Sequence, residues 1–122
     1  GYYFHLEPGA SFIAAGLYMP IPEHLNKLRQ EIDYCYNDFK KIVGSAKFKS
    51  SFSSLDMEQS LVRPPKGYDE DNPAIAFIKL KSFTCTKPLS DKEALSSDSI
   101  KNCINDYKIV SPFVKFINGA LD

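Results

Sequence analysis

The stretch that decides the fold spans residues 2–19 and reads YYFHLEPGASFIAAGLYM. Aromatic and β-branched residues dominate 2–7 and 11–19, which is typical of β-strands. Pro8-Gly9-Ala10 lies between these runs, and Pro and Gly are the residues that tight turns use. The pattern therefore predicts an antiparallel hairpin. In its first strand, side chains alternate between two faces, with Tyr2, Phe4 and Leu6 on one and Tyr3, His5 and Glu7 on the other.

A long helix is predicted after the hairpin. Apolar residues recur every three or four positions from Leu25 to Ile42, which places them on one stripe of a helix of about 20 residues. Pro22 suits the first turn of this helix, and Gly44 suits its C-terminal cap. The helix would cover one face of the sheet to which the hairpin belongs.

The remaining residues predict shorter elements. We expect first a short helix over 46–52, then a strand over 57–63 and a helix capped by Asp71. A strand over 82–87 and a helix with a capping box at Ser90 and Glu93 should follow. The last helix should start near Ser97 or Asp98 and kink or restart at Pro112. This order predicts a single α+β domain over residues 1–122, with an antiparallel sheet and helices packed on one face. A hairpin needs further strands for stability, so we expect more strands, either in this chain or in a missing N-terminal part. The start Gly1-Tyr2-Tyr3-Phe4 is typical of the middle of a fold, so we expect the domain to be a fragment of a larger fold.

Composition and charge disfavour several classes of partner. Lys plus Arg and Asp plus Glu each number 15, so the formal net charge is zero. Nucleic-acid binders usually carry a basic excess, which makes nucleic acid a disfavoured partner. No apolar run approaches the roughly 20 residues that span a bilayer, so we expect no membrane segment. The sequence has no Gly-rich phosphate loop, and we expect no cofactor.

The three cysteines, Cys35, Cys85 and Cys103, are interpreted as reduced thiols. Their number is odd, and no two of them have the short spacing of a zinc knuckle or a redox motif. Each lies among apolar neighbours, as a buried cysteine does. This usage predicts a reducing compartment and a cytoplasmic location.

Four segments in order resemble a known family: GYYFHLEPG at 1–9, AGLYMP at 15–20, RPPKGYD at 63–69 and LKSF at 80–83. Together they are similar to the family called domain of unknown function 2461, which occurs in bacteria and fungi. RPPKGYD is the most specific of the four, and the resemblance runs from residue 1 nearly to the end of the chain.

The resemblance implies a C-terminal part of a longer chain, because members of the family are near twice this length. A sheet edge or helix face left by a missing half would let two copies of the chain form a homodimer. The family often has Asp-His-Pro where this chain has Asp71-Asn72-Pro73, so no histidine role carries over. The family implies no substrate, cofactor or catalytic residue.

The loop from Arg63 to Asp71 is the first candidate site. Pro64 and Pro65 stiffen it, and Arg63, Lys66 and Tyr68 could present a guanidinium, an ammonium and a phenol to a phosphate or carboxylate, with Lys81 adding charge. This pattern predicts a domain that binds or transforms a small anionic molecule, without deciding between the two. Three acidic residues follow at 69–71, so a loop with locally paired charge and a structural role is the alternative.

His5 and Glu7 are a second candidate, because both lie on one face of the first strand. A carboxylate beside an imidazole can form a general base, or it can begin a metal site that needs further ligands. A solvated strand face is the simpler interpretation, and we expect no metal site.

Three functions stay open at this point. The chain is an anion-binding or enzymatic domain, a structural or protein-interaction module without catalysis, or a weak binder of RNA or single-stranded DNA. The hairpin aromatics suit base stacking, but interleaved Lys and Arg are missing from these strands. Nucleic acid therefore comes third.

Overall fold

The computed structural model describes all residues from 1 to 122. Its elements in chain order are β1 (Tyr2–His5), β2 (Ser11–Leu17), α1 (Pro22–Tyr34), α2 (Tyr36–Val43), α3 (Ala46–Phe52), α4 (Ile75–Ile78), β3 (Phe83–Leu89), α5 (Asp91–Leu95) and α6 (Ser99–Leu121). The predicted hairpin, the short helix at 46–52, the strand after Ser82 and the capping box at Ser90 are confirmed.

The three strands form one antiparallel sheet in the order β1-β2-β3, with β2 in the centre. Residues directly across from one another share a face of the sheet. The helix-side face carries Tyr2, Phe4, Ser11, Ile13, Ala15, Leu17, Phe83, Cys85, Lys87 and Leu89. The open face carries Tyr3, His5, Phe12, Ala14, Gly16, Thr84, Thr86 and Pro88.

The core lies between the helix-side face and a layer of helices, which confirms the predicted α+β class. The longest helix, α6, contacts β2 and also α1, α2 and α3. The largest fully buried side chains are Phe39, Phe48, Phe83, Phe113, Ile13, Leu28, Ile32, Ile78, Leu80, Val110 and Cys85. The fully buried apolar residues of α6 begin at Val110; in its first half Cys103 and Tyr107 pack at the margin of the core, whereas Ile100 and Ile104 are exposed.

The long helix predicted over 22–43 is two helices. Cys35 has φ −111° and ψ 38°, outside the helical region, and it separates α1 from α2. After this break Phe39 packs against Phe77 and Phe116, with ring centroids 5.1 and 5.2 Å apart. The apolar stripe continues across the break, since Leu28 and Ile32 before it and Phe39 after it are all fully buried.

Two predictions between the helices and β3 are wrong. The strand over 57–63 is reduced to one bridge, Ser60 opposite Leu80, because Pro64 and Pro65 follow and cannot donate to a ladder. Asp71 does not cap α4; instead, the side-chain oxygen of Asn72 accepts a 2.8 Å hydrogen bond from the backbone N–H of Ala74.

Of the kink and the restart predicted as alternatives at Pro112, the restart does not occur. α6 runs without interruption over 23 residues from Ser99 to Leu121. Val110 and Phe113 are fully buried on either side, and their packing offsets the hydrogen bond that Pro112 cannot donate. Long as α6 is, it lacks the sustained apolar length for a bilayer crossing, as do the other helices.

Candidate functional site

The outer edge of β1 exposes a regular row of backbone groups. Gly1 and Gly16 exchange two hydrogen bonds of 3.0 Å, so they form a hydrogen-bonded pair of the antiparallel ladder. Pairs of this type alternate, and the register therefore directs the N–H and C=O groups of Tyr3 and His5 toward β2. The same groups of Tyr2 and Phe4 consequently point away from the sheet.

The two edges of the sheet differ. At the outer edge of β3, the carbonyl of Thr84 accepts a 2.8 Å hydrogen bond from the backbone N–H of Asp56. The Asp56 carboxylate also accepts from the hydroxyls of Thr84 and Thr86, each at 3.0 Å. β1 has only β2 as a neighbour, and all four of its residues are exposed. The sheet thus has one covered edge and one open edge.

A cleft lies along the first half of α6, with one part lined by β1 and the other part lined by the end of β3 and by α5. Its two parts, which we call the apolar half and the polar half of the two-part cleft, share Ser99 and Cys103. The apolar half has a volume of about 340 Å³ and is lined mainly by Phe4, Leu6, Ala94, Ile100, Ile104 and Tyr107.

Aromatic contacts hold the apolar half in place. The Tyr107 ring meets Tyr2 edge-on at 5.0 Å, and its hydroxyl donates a 2.9 Å hydrogen bond to the carbonyl of Tyr3. Burial raises the pKa of Tyr107, so this hydroxyl keeps its proton well above neutral pH. β1 is thereby fixed to α6, while Ile100 stays 75% exposed.

The polar half has a volume of about 300 Å³ and contains a partly buried ion pair. The ammonium of Lys87 lies 3.1 and 3.0 Å from the two carboxylate oxygens of Asp106. Their side chains are 27% and 9% exposed. Leu89, Glu93, Asn102 and Asn105 complete the lining.

The thiol of Cys103 lies at the junction of the two halves. Burial, and next the nearby Asp106 carboxylate, raise the pKa of this thiol. Cys103 is therefore a neutral side chain at neutral pH rather than a thiolate nucleophile.

The predicted anion-binding residues lie outside the two-part cleft. Arg63 and Lys66 are exposed and have no carboxylate partner within the chain, whereas Tyr68 and Lys81 are half-buried. None of the four lines either half of the two-part cleft. The backbone N–H of Lys81 donates to the carbonyl of Gln59, so Lys81 lies opposite a residue that precedes Arg63 by four positions.

The loop after Arg63 is fastened to its neighbours. Glu70 accepts hydrogen bonds of 2.8 and 3.0 Å from the ammonium of Lys79, and Asn72 donates a 2.7 Å hydrogen bond to Asp33 on α1. Burial, followed by the negative charge of Asp33, raises the pKa of Tyr68. These contacts give the end of the loop a structural role, while the anion-binding role of its first residues stays a prediction.

Arg29 on α1 is a buried cation that the sequence interpretation did not single out. Its guanidinium donates 2.7 and 3.1 Å hydrogen bonds to the carbonyls of Ile78 and Leu80, and the residue is 7% exposed. Burial lowers the pKa of Arg29, and the neighbouring Tyr68 opposes this shift. The bonds satisfy carbonyls at the end of α4, so Arg29 joins α1 to the segment that leads into β3.

The structure brings His5 and Glu7 together, as their spacing predicts. The Nε2 atom of His5 lies 3.1 Å from a carboxylate oxygen of Glu7, and the imidazole stacks on Phe12 at 5.0 Å. Both side chains are exposed on the open face, and no group of three His, Cys, Asp or Glu side chains is arranged to hold a metal ion. A role for this pair stays a prediction.

The cleft residues carried a signal in the sequence that the interpretation did not use. Lys87 continues the alternation of Phe83 and Cys85, which assigns it to the helix-side face. Asp106 falls three residues after Cys103 and four before Val110, and so lies on the apolar stripe of α6. A lysine and an aspartate that both point into an apolar layer indicate an ion pair.

The fold and the site together define an α+β domain with an open sheet edge and a two-part cleft beside that edge. The chain belongs to the family described as "Conserved hypothetical protein (DUF2461)", whose model matches residues 1–116. The resemblance of the four sequence segments is thereby confirmed. Among curated proteins and among solved structures, no match to the chain is found.

Proposed function

We propose that this domain is a protein-interaction module that accepts an extended polypeptide segment as an added strand on β1. The observation that carries the proposal is the open edge, where the N–H and C=O groups of Tyr2 and Phe4 point outward. Proteins usually protect such an edge with charged residues, prolines or a covering loop. Residues 2–5 carry no Lys, Asp, Glu or Pro, and no loop formed by residues 6–122 covers them.

The chemistry of the partner follows from the two sides of β1. Side chains of an added strand alternate between the faces of the sheet. Those on the helix side would enter the apolar half of the cleft, beside Phe4, Leu6 and Ile104. Those on the other side would lie next to Tyr3 and His5, which are about half exposed. The expected partner segment is therefore extended, with apolar residues at every second position.

A peptide titration with two variants at one position tests this function. The probe is a synthetic eight-residue peptide in which valine alternates with threonine, and its affinity is measured by isothermal titration calorimetry. Phe4→Ala and Phe4→Pro both remove the phenyl ring, but only Phe4→Pro also removes the outward N–H. This N–H makes no bond to β2, so the internal ladder stays complete.

Phe4→Pro should bind the peptide between about two- and tenfold more weakly than Phe4→Ala, because this is the loss in affinity expected from one missing hydrogen bond. A second probe has the same side chains but carries N-methyl groups on the amides that face β1, and it should not bind. Equal affinities of the two variants, or binding of the N-methylated peptide, would exclude strand addition.

A second copy of the chain is one such partner, and the expected homodimer would use the same edge. Antiparallel pairing of two β1 strands around Phe4 would join the two sheets into one of six strands. Sedimentation equilibrium should then show a dimer that Phe4→Pro shifts to monomer. A monomer at all concentrations would leave strands of other sequences as the partners.

Anion binding by the Arg63 loop is the second candidate function. Arg63 and Lys66 are the observation in its favour, because both are exposed and unpaired while the nearby Glu70 is bound by Lys79. A guanidinium and an ammonium with free donors suit a phosphate or carboxylate group.

Thermal unfolding with inorganic phosphate, nucleotides and sugar phosphates tests this candidate. A ligand at 100 times its dissociation constant should stabilise the domain by about 2.7 kcal/mol. Arg63→Ala and Lys66→Ala should abolish the shift, and Lys40→Ala, another exposed lysine, should not. A shift that survives both loop variants would locate the anion elsewhere.

A cytoplasmic location also belongs to the proposal. Cys35, Cys85 and Cys103 are all free thiols, which suits a reducing compartment. Fluorescence of a tagged chain in cell fractions checks this, and a signal in the secreted fraction would contradict it.

A further inference from the structure

We infer that the polar half of the two-part cleft binds a small, neutral, polyhydroxylated molecule such as a monosaccharide or a cyclic polyol. This inference is independent of the strand-docking function, which uses β1 and the apolar half. The volume of the polar half, about 300 Å³, lies at the lower end of the range for small-molecule sites.

Several polar groups converge on this cleft with hydrogen-bonding capacity left over. Lys87 donates to two oxygens of Asp106, and an ammonium has a third proton to offer. The amides of Asn102 and Asn105 line the cleft, and both residues are exposed. Neither amide makes a hydrogen bond within the chain, and the hydroxyl of Ser99 makes none either. Amides and hydroxyls both donate and accept, as the hydroxyl groups of a polyol do.

The charges of the cleft favour a neutral ligand over an anion. The Lys87 ammonium and the Asp106 carboxylate neutralise each other at 3.0 Å. Glu93 adds a second carboxylate, and hydrogen bonds from Ser90 lower its pKa, so it is ionised at neutral pH. One ammonium against two carboxylates leaves an excess of negative charge, which repels phosphate and carboxylate groups.

Apolar surface completes the match to a polyol. Leu89 and Cys103 line the cleft beside the polar groups. The carbon-bound hydrogens of a sugar ring form an apolar face that can lie on such side chains while the hydroxyls reach the amides.

The test is a chemical-shift titration of the isotope-labelled chain with glucose, galactose, mannose, ribose and myo-inositol. Concentrations up to about 50 mM would saturate a site with a dissociation constant near 1 mM. At least one of these probes should give saturable shifts at Ser99, Asn102, Cys103 and Asn105. Asn102→Ala and Asn105→Ala should each weaken binding between about two- and tenfold.

Three controls test whether binding is specific to the polar half. Asn37→Ala replaces an exposed asparagine on α2 and should leave the affinity unchanged. Phe4→Pro, which tests strand docking, should also leave it unchanged. Glucose 6-phosphate should bind more weakly than glucose because it adds negative charge. The inference would be overturned by any of three results. These are no saturable shift at the four residues, an affinity that neither Asn102→Ala nor Asn105→Ala changes, and tighter binding of glucose 6-phosphate than of glucose.

Discussion

Replacing Asp106 by Asn should destabilise the domain by about 2 kcal/mol. Both carboxylate oxygens of Asp106 accept from Lys87, at 3.1 and 3.0 Å, and the Asp106 side chain is 9% exposed. The asparagine keeps the shape of the side chain but loses its charge and one acceptor. Lys87 would then be a partly buried ammonium without a hydrogen-bonded carboxylate.

The expected cost of Asp106→Asn follows from the exposed fractions of the Lys87 and Asp106 side chains. A hydrogen bond to a charged group contributes about 1.5–3 kcal/mol, and removing one partner of a fully buried pair costs about 3–5 kcal/mol. Lys87 is 27% exposed, so water can solvate part of its charge in the variant, and the lower range applies. For a domain of this size, 2 kcal/mol corresponds to a fall in melting temperature of roughly 8 °C.

Urea denaturation followed by far-UV circular dichroism measures this cost, with Glu23→Gln as the matched control. Glu23 pairs with Lys27 at 3.8 Å, but those side chains are 71% and 43% exposed, so the control should cost under about 0.5 kcal/mol. Lys87→Met with Asp106→Asn completes a double-mutant cycle, and the pair should show a coupling of at least about 1 kcal/mol. Equal costs for Asp106→Asn and Glu23→Gln, or no coupling, would refute the reasoning.

Three further predictions concern stability. Arg29→Met should cost about 3 kcal/mol in urea denaturation because two buried carbonyls lose their donors, and a cost below about 1 kcal/mol would contradict the role of Arg29. Gly16→Ala should lower the free energy of unfolding by about 3 kcal/mol or more, because a Cβ there would collide with the backbone of β3. The control Gly67→Ala is also at positive φ but in open space, so it should cost only about 1 kcal/mol. Equal costs for the two variants would be inconsistent with this packing. Burial raises the pKa of Cys85 from 9.0 to about 12, so the unfolded chain releases this proton first as the pH rises. The free energy of unfolding should therefore fall from about pH 9 upward, by at most about 1.4 kcal/mol per pH unit. The same decline in Cys85→Val would show that this thiol is not its source.

Local patterns were sufficient to predict the hairpin and its two faces. Alternation assigns Tyr2 and Phe4 to one side, and Pro8-Gly9 supplies the turn, so neighbouring residues contain the information. The capping box at Ser90 and Glu93 was equally local. The break at Cys35 was not local in this sense, because no proline or glycine marks it and the apolar spacing continues through it.

The site was harder to predict than the fold for the same reason. Lys87 and Asp106 are 19 residues apart, on a strand and a helix, and their pairing depends on how α6 crosses the sheet. The anion site was predicted at the Arg63 loop because the charges of that loop are close in sequence. Arg29, which is buried beside Tyr68, lies far from the loop in sequence, on α1. Adjacent charges are visible in a sequence, but charges that meet only through tertiary packing are not.

Hydrogen exchange at the four amides of β1 tests the central claim most directly. In the free chain, the amides of Tyr3 and His5 should be protected by β2, and those of Tyr2 and Phe4 should exchange rapidly. Addition of the alternating valine–threonine peptide should protect Tyr2 and Phe4 and leave Tyr3 and His5 unchanged. Uniform protection of all four amides in the free chain, or no gain at Tyr2 and Phe4 with saturating peptide, would contradict strand docking at this edge.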